Sequence, residues 1–529
     1  MEGEGQDHNN NYTRPLLTPP PPAAVFTTES HDIPPISSPR IFGREFLLES
    51  KKLWYLAGPA IFTSVCQYSL GAITQLFAGH VGTLELAAVS VENSVIAGFC
   101  FGIMLGMGSA LETLCGQAFG AGQLRMLGIY MQRSWVILNT TCLILSLLYV
   151  FAKPLLNFIG QTAAISKAAG EFAVWMIPQL FAYAMNFPIQ KFLQAQSKIM
   201  VMAWIAAAAL VMHLLLSWLL MLRLGWGLVG AAVVLNGSWW FIVVAQLVYI
   251  LSGTCGNAWS GFSLKAFENL WGFVRLSLAS AVMLWYQNLN LFISWSYAFI
   301  YLNYFCFFLL YHACILFLGR DHAHYFVMCF CQNMNILGWT VMVSFGMNAA
   351  VSVRVSNELG ASHPRAAKFS LVVAVITSFV LGLAMSLVLI MFRKQYPSLF
   401  SNDSAVKELV MELTPMLAFC IIINNVQPVL SGVAVGAGWQ SLVAYVNIAC
   451  YYLFGVPLGL ILGYALDFGV IGIWSGMLTG TIVQTCVLFI IVYRTDWDKE
   501  ASLAEDRIKK WGGHKDSKSN GVANNDQQT

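Results

Sequence analysis

The chain has 529 residues, of which 58% are hydrophobic and 10% charged, where soluble domains carry roughly 25% charged residues, so water is excluded as the solvent for most of its surface. The formal net charge is only +3, and 12 of the 28 Lys and Arg lie in the terminal stretches 1–52 and 494–529, which leaves no basic face and excludes nucleic acid as a partner. Twelve cysteines are scattered through apolar runs without the paired spacing of a zinc site, so they read as small apolar residues and no metal is implied.

In chain order, residues 1–44 read as a disordered cytosolic tail. The stretch is polar and Pro-rich (Pro19 to Pro22, Pro34, Pro35, Pro39), with acids where a signal peptide would have an apolar core. A bilayer core needs about 20 apolar residues per helix. That criterion predicts twelve helices, near 53–78, 86–110, 124–151, 168–187, 199–221, 228–252, 267–293, 328–352, 368–392, 408–430, 440–463 and 470–492. The charged stretch 496–529 reads as a second cytosolic tail. The fold class expected is an all-α integral membrane protein.

An internal repeat organises these helices. Gly106-Met107, Ala110, Gly116-Gln117, Gly120-Ala121 and Arg125 are answered by Gly346-Met347, Ala350, Ser356-Asn357, Gly360-Ala361 and Arg365, at a constant offset of 346 − 106 = 240. Pro178 with Gln190 is answered by Pro415 with Gln427, and Gly227 with Gly230 by Gly469 with Gly472. Six helices per unit place both copies in the same orientation, a parallel repeat. The boundaries expected are an N-lobe at 45–260 and a C-lobe at 261–495. Leu53-Trp54 answers Leu270-Trp271 at an offset of only 270 − 53 = 217, so about 23 residues are added before Gly346. The segment 294–325, with its apolar run from Ser294 to Leu318, is therefore expected to add no net crossing. Arg40, Arg44, Lys51 and Lys52 flank the first helix, against no Lys or Arg between helices one and two, which predicts both termini in the cytosol.

Few ionisable groups lie inside the apolar runs, and such groups are costly and usually functional. Glu92, beside Asn93, is a candidate for binding a proton or cationic substrate. Tyr68, Gln75, Gln190, Asn335, Asn424, Asn425, Gln427, Tyr445 and Tyr452 offer amides or aromatic faces to a pathway, and aromatic walls suit flat, multi-ring ligands. His213, in the middle of helix five, is either a proton relay or a neutral, hydrogen-bonded imidazole. Glu112 and Glu358 occupy helix ends where an ion pair with Arg125, Arg354 or Arg365 would serve as a gate, together with Gln117 and Asn357, or would play a static interfacial role. Pro59, Pro178, Pro188, Pro415 and Pro457 each remove a backbone hydrogen bond and are expected to kink their helices. Gly102, Gly106 and Gly108 permit close helix contact, for packing or for sliding. His312, His322 and His324 with Asp321 have the composition of a metal cluster but read as a solvated loop.

The strings Gly79-His80-Val81-Gly82, Leu105 to Gln117, Val353 to Ala361 and Gln427 to Gly432 resemble the plant branch of the MATE (multidrug and toxic compound extrusion) family, and most of all its vacuolar flavonoid-type exporters. The resemblance covers 43–284 and 334–512. It implies a V-shaped molecule with a central cavity that exports small organic solutes, such as flavonoid glycosides or xenobiotics, by proton or other cation antiport. It implies no cofactor, a monomer, and the vacuolar membrane, with the plasma membrane as the other location. One departure stands out. Where plant members continue into Cys-Leu-Glu before Trp-Tyr, with the glutamate as the expected C-lobe proton site, Leu284 here is followed directly by Trp285-Tyr286. The segment 285–333 is atypical, consistent with altered splicing. The alternatives are a channel-like anion conductor of the same fold, a coupling-defective isoform, and an intramembrane enzyme with His213 as base, for which no second catalytic group stands at a fixed spacing.

Overall fold

The computed structural model describes residues 32–278 and 320–511, apart from 159, 269, 276, 400–403 and 467. Its regular elements are helical, as expected where lipid forces each backbone N–H and C=O to be satisfied within the segment. In chain order they are α1 (Pro39–Val81), α2 (Thr83–Gly120), α3 (Leu124–Val150), α4 (Ala163–Ala195), α5 (Ile199–Arg223) and α6 (Gly227–Thr254). After the gap come α7 (Arg320–Gly360), α8 (Pro364–Met391), α9 (Ser404–Ala437), α10 (Gln440–Gly463), α11 (Gly469–Arg494) and α12 (Trp497–Lys510). Among the described residues eleven helices are long and apolar enough to span a bilayer, α12 not being one of them. The expected helix at 267–293 is described only at its start, and the question of whether 294–325 adds a crossing falls on residues outside the described set up to Arg320. His312 and the side chains of Asp321, His322 and His324 also lie outside it.

Two hydrophobic cores form. One gathers α2 to α6, with Phe273 and Trp511 added to it. The other gathers α7 to α11 and the buried face of α12. α1 belongs to both: Leu53, Leu56, Ala57 and Ala60 pack into the second core, whereas Leu70 and Ala78 pack into the first. Pro59 sits where α1 passes from one to the other, and the Thr63 hydroxyl donates to its carbonyl at 2.8 Å. α1 thus contributes to both cores, its first turns to the second and its last turns to the first. The stretches expected as tails are also shorter than predicted. α1 already starts at Pro39, capped by the Ser38 hydroxyl. Residues 497–510 form an amphipathic helix that buries Trp497, Ala501, Ala504 and Ile508 at helical spacing.

Prolines lie inside the helices as expected. Pro59 is in α1, Pro178 and Pro188 in α4, and Pro415 with Pro428 in α9. Pro457 begins a short α-helical stretch between two π-helical segments of α10, Ile448–Gly455 and Ile461–Ala465.

Candidate functional site

At the end of the bundle where both described chain ends lie, α2 and α7 meet in near backbone contact. A Cβ on Gly120 would overlap the Asn357 carbonyl oxygen, and a Cβ on Gly360 would overlap the Gln117 carbonyl oxygen. Gln117 and Asn357 are equivalent positions of the repeat, as are Gly120 and Gly360, so the contact obeys a local twofold relation. Only residues without a side chain allow this approach. Polar groups then close the seam. Gln117 donates to the Gly436 carbonyl at 3.1 Å, Asn357 to the Ala195 carbonyl at 3.2 Å, and Thr113 to the Val435 carbonyl.

Beside the seam, Arg354 is 4% exposed and holds Glu49 through two hydrogen bonds of 2.9 and 3.0 Å. It also pairs with Glu358 at 2.8 Å, and Glu358 in turn faces His363 at 3.1 Å. Glu49 comes from α1 and Arg354 from α7, so the ion pair ties the N-terminal part of α1 to the C-lobe. Arg365 pairs with Asp32 (3.2 Å), whose carboxylate also accepts from the backbone N–H groups of Arg365 and Ala366 and so caps α8 from a distant part of the chain. Glu112 pairs with Lys191 at 2.7 Å rather than with Arg125, which is exposed. Of the ion pairs expected for Glu112 and Glu358, the structure forms Glu358 with Arg354. Arg507, in α12, donates to the Gln117 side-chain oxygen at 2.8 Å. Burial draws its pKa below the usual arginine value, with Glu500 opposing.

Deeper in the bundle lies Glu92, 1% exposed, at the start of a π-helical segment of α2, Glu92–Ala97. Such wide turns occur frequently at functional sites. One of its carboxyl oxygens is buried without a hydrogen-bond partner. Among the described residues the other buried glutamates, Glu49, Glu112 and Glu358, each face a cation, whereas Glu92 forms no ion pair. Cys100, Tyr149 and Tyr183 lie within its electrostatic reach. Tyr183 is packed edge-on against Trp239 (centroids 4.7 Å apart) and Phe101 (5.4 Å), and Gln179 donates to its hydroxyl at 2.7 Å. Nearby on α4, both amide atoms of fully buried Asn186 and the amide nitrogen of Gln190 lack partners. Buried polar atoms of this kind call for water or a ligand. The N-lobe is thus furnished with unsatisfied polar atoms beside an aromatic wall.

The remaining predicted residues fall near these groups or away from them. Asn93 is half-buried and stands so close to α1 that a Cβ on Gly71 would lie 3.2 Å from its amide nitrogen. Tyr68 packs edge-on against Trp339 of the C-lobe, centroids 5.3 Å apart. Gln75 and Asn424 are half-buried. Asn425 accepts from Ser344 at 3.0 Å and Gln427 donates to Ser431 at 3.1 Å. Tyr445 is 72% exposed, whereas the side chains of Tyr452 and Asn335 lie outside the described residues. His213 is fully buried and doubly bonded, to Thr74 at 3.1 Å and to Ser238 at 2.9 Å, so it joins α1, α5 and α6.

Sequence reasoning missed Glu49, Lys191, Asn186 and Arg507. Lys191 carried a signal, being a lone cation one residue after Gln190 in an apolar helix. Glu49 carried none, because its partner lies 305 positions away.

Comparison with known proteins bears on the same chain. The family described as MatE matches residues 59–219 and 300–461, two stretches whose starts differ by 300 − 59 = 241, close to the repeat offset. The second stretch begins inside the segment whose motifs carry no resemblance. The chain is 66% identical over 487 residues to Protein DETOXIFICATION 29 of Arabidopsis thaliana, covering 91% of this chain and 93% of that protein. It is likewise 66% identical over 498 residues to Protein DETOXIFICATION 30 of the same plant (93% and 95%). Among solved structures, that of the eukaryotic MATE transporter AtDTX14 superposes with a TM-score of 0.78 at 32% identity, covering 88% of this chain and 99% of that one. An outward-facing multidrug resistance MATE transporter superposes at 0.70 with 17% identity, covering 87% and 97%, which speaks for the fold alone.

Proposed function

The chain belongs to the MatE family of multi-pass membrane transporters, which move toxic compounds and are not enzymes, and from that premise we propose that it exports small organic solutes in exchange for protons, with Glu92 as the coupling group. The observation that carries this reading is a fully buried carboxyl without a cation, set against an aromatic wall in the N-lobe. An acid in that setting can bind a proton in one conformation and release it when the cavity opens to water. Substrate and proton then compete for the same chamber, which is the requirement of antiport. The segment that would hold the C-lobe glutamate of plant members lacks it, so the N-lobe acid has no described counterpart to share the coupling.

Tyr183, Trp239, Phe101 and Phe187 offer edges and faces that suit flat ring systems, and the amides of Asn186 and Gln190 suit hydroxyl groups. A flavonoid glycoside has both features, and we take it as the substrate class. Arg40, Arg44, Lys51 and Lys52 in the first turns of α1 support cytosolic termini, the resemblance to flavonoid-type exporters supports the vacuolar membrane, and a monomer completes the working picture. That both described chain ends lie at one end of the bundle supports an even number of crossings. The test is uptake of quercetin 3-glucoside into vesicles from cells expressing the chain. Accumulation should follow an imposed pH gradient and vanish when an ionophore collapses it. Uptake indifferent to the gradient would remove proton antiport, and a fluorescent fusion confined to another membrane would remove the vacuolar assignment.

A further inference from the structure

The amphipathic helix α12 reaches both lobes at the seam. At its start, Trp497 packs against Trp439 of the C-lobe with centroids 6.0 Å apart. Just past its end, Trp511 packs edge-on against Phe273 at 6.0 Å, and its carbonyl accepts a 3.5 Å hydrogen bond from Arg133 of α3 in the N-lobe. Between these anchors Arg507 donates to Gln117 of α2. The same guanidinium fills the space beside Gly438, at the turn between α9 and α10, where a Cβ would stand 2.7 Å from its central carbon. Gln117 meanwhile donates to Gly436, so Arg507, Gln117 and the α9 terminus form one chain of contacts across the seam. Gly438 adopts φ +85°, a conformation that glycine supplies without strain.

These contacts cannot all survive if the lobes part at this end. We propose that α12 is an intramolecular clasp that holds the seam shut and sets the conformational balance between closed and open at the face carrying the chain ends. Trp497 and Arg507 lie on one helix of 14 residues and Trp511 is its C-cap, so the clasp releases as a unit: losing either the Arg507 centre or the Trp511 end frees the N-lobe. Opening of this end then follows undocking of α12 from the N-lobe while Trp497 keeps it tethered to the C-lobe. The inference goes beyond the transport reading, since it concerns conformational balance and needs neither substrate nor coupling ion.

Hydrogen–deuterium exchange of the full chain in lipid nanodiscs tests it. Arg507→Gln and, separately, Trp511→Ala should each raise exchange in peptides covering 112–121 and 353–361 on the order of tenfold, with 205–223 unchanged. Exchange that rises only within 497–511 would mean that α12 docks passively and would overturn the clasp, as would no change anywhere. General acceleration in all helices from Arg507→Gln would report misfolding of that variant, and Trp511→Ala then decides. A rise confined to the seam peptides for Trp511→Ala supports the clasp, and its absence refutes it.

Discussion

Gly360 stands against the backbone of Gln117 so closely that a methyl group on it would overlap the Gln117 carbonyl oxygen. The reciprocal contact of Gly120 with the Asn357 carbonyl means that two glycines, one from each repeat, set the distance between α2 and α7. Gly360→Val should therefore prop the seam open. The variant is expected to be produced and to elute as wild type does, while transport falls by more than about tenfold, since conformers off by about 1 Å lose rates of order a hundredfold in comparable settings. Vesicle uptake beside size-exclusion profiles measures both. Wild-type transport by Gly360→Val would contradict a tight seam.

Arg354 neutralises two buried carboxylates, and the cost of losing it is correspondingly large. Arg354→Met leaves Glu49 without a cation and Glu358 with only the His363 imidazole, and breaking a buried pair this way costs about 3–5 kcal/mol. The unfolding midpoint in detergent should drop clearly. Adding Glu49→Gln and Glu358→Gln to Arg354→Met should recover much of it, because neutral partners no longer carry stranded charge. A single variant as stable as wild type would show that the network is solvated.

The repeat was legible because small and polar residues stand out in apolar helices, so Gly116-Gln117 and Ser356-Asn357 could be aligned and placed on helix ends. Eleven of the twelve predicted helices are described where the hydrophobic runs put them, because helix length in lipid follows from bilayer thickness. What hydrophobicity does not encode is which neighbour a helix faces. For that reason α1, which serves both cores on either side of Pro59, was assigned to one lobe. The same gap hid the pairing of Glu112 with Lys191 and of Arg354 with Glu49, since nothing local in the sequence links their positions. α12 is a different case. Trp497, Ala501, Ala504 and Ile508 recur at helical spacing within a charged stretch, and that pattern was a readable sign of a docked helix rather than a free tail.

His213 is held on both ring nitrogens by hydroxyls, Thr74 and Ser238, which is the arrangement of a structural crosslink among α1, α5 and α6. His213→Ala removes both crosslinks and should lower stability by about 1–3 kcal/mol. His213→Asn, which keeps a donor and an acceptor, should restore part of it. Neither variant should displace the pH profile of transport. A profile that moves in His213→Asn would make the imidazole a proton relay instead.

Glu92 bears the greatest functional weight, and its test separates binding from coupling. In proteoliposomes holding purified protein, wild type should concentrate quercetin 3-glucoside against its gradient when the pH differs by one unit across the membrane. Glu92→Gln should still exchange labelled for unlabelled substrate at equal pH but fail to concentrate it, and Glu92→Asp should regain accumulation in part. If Glu92→Gln accumulates substrate as wild type does under the same pH difference, the coupling proton is carried elsewhere and the account fails.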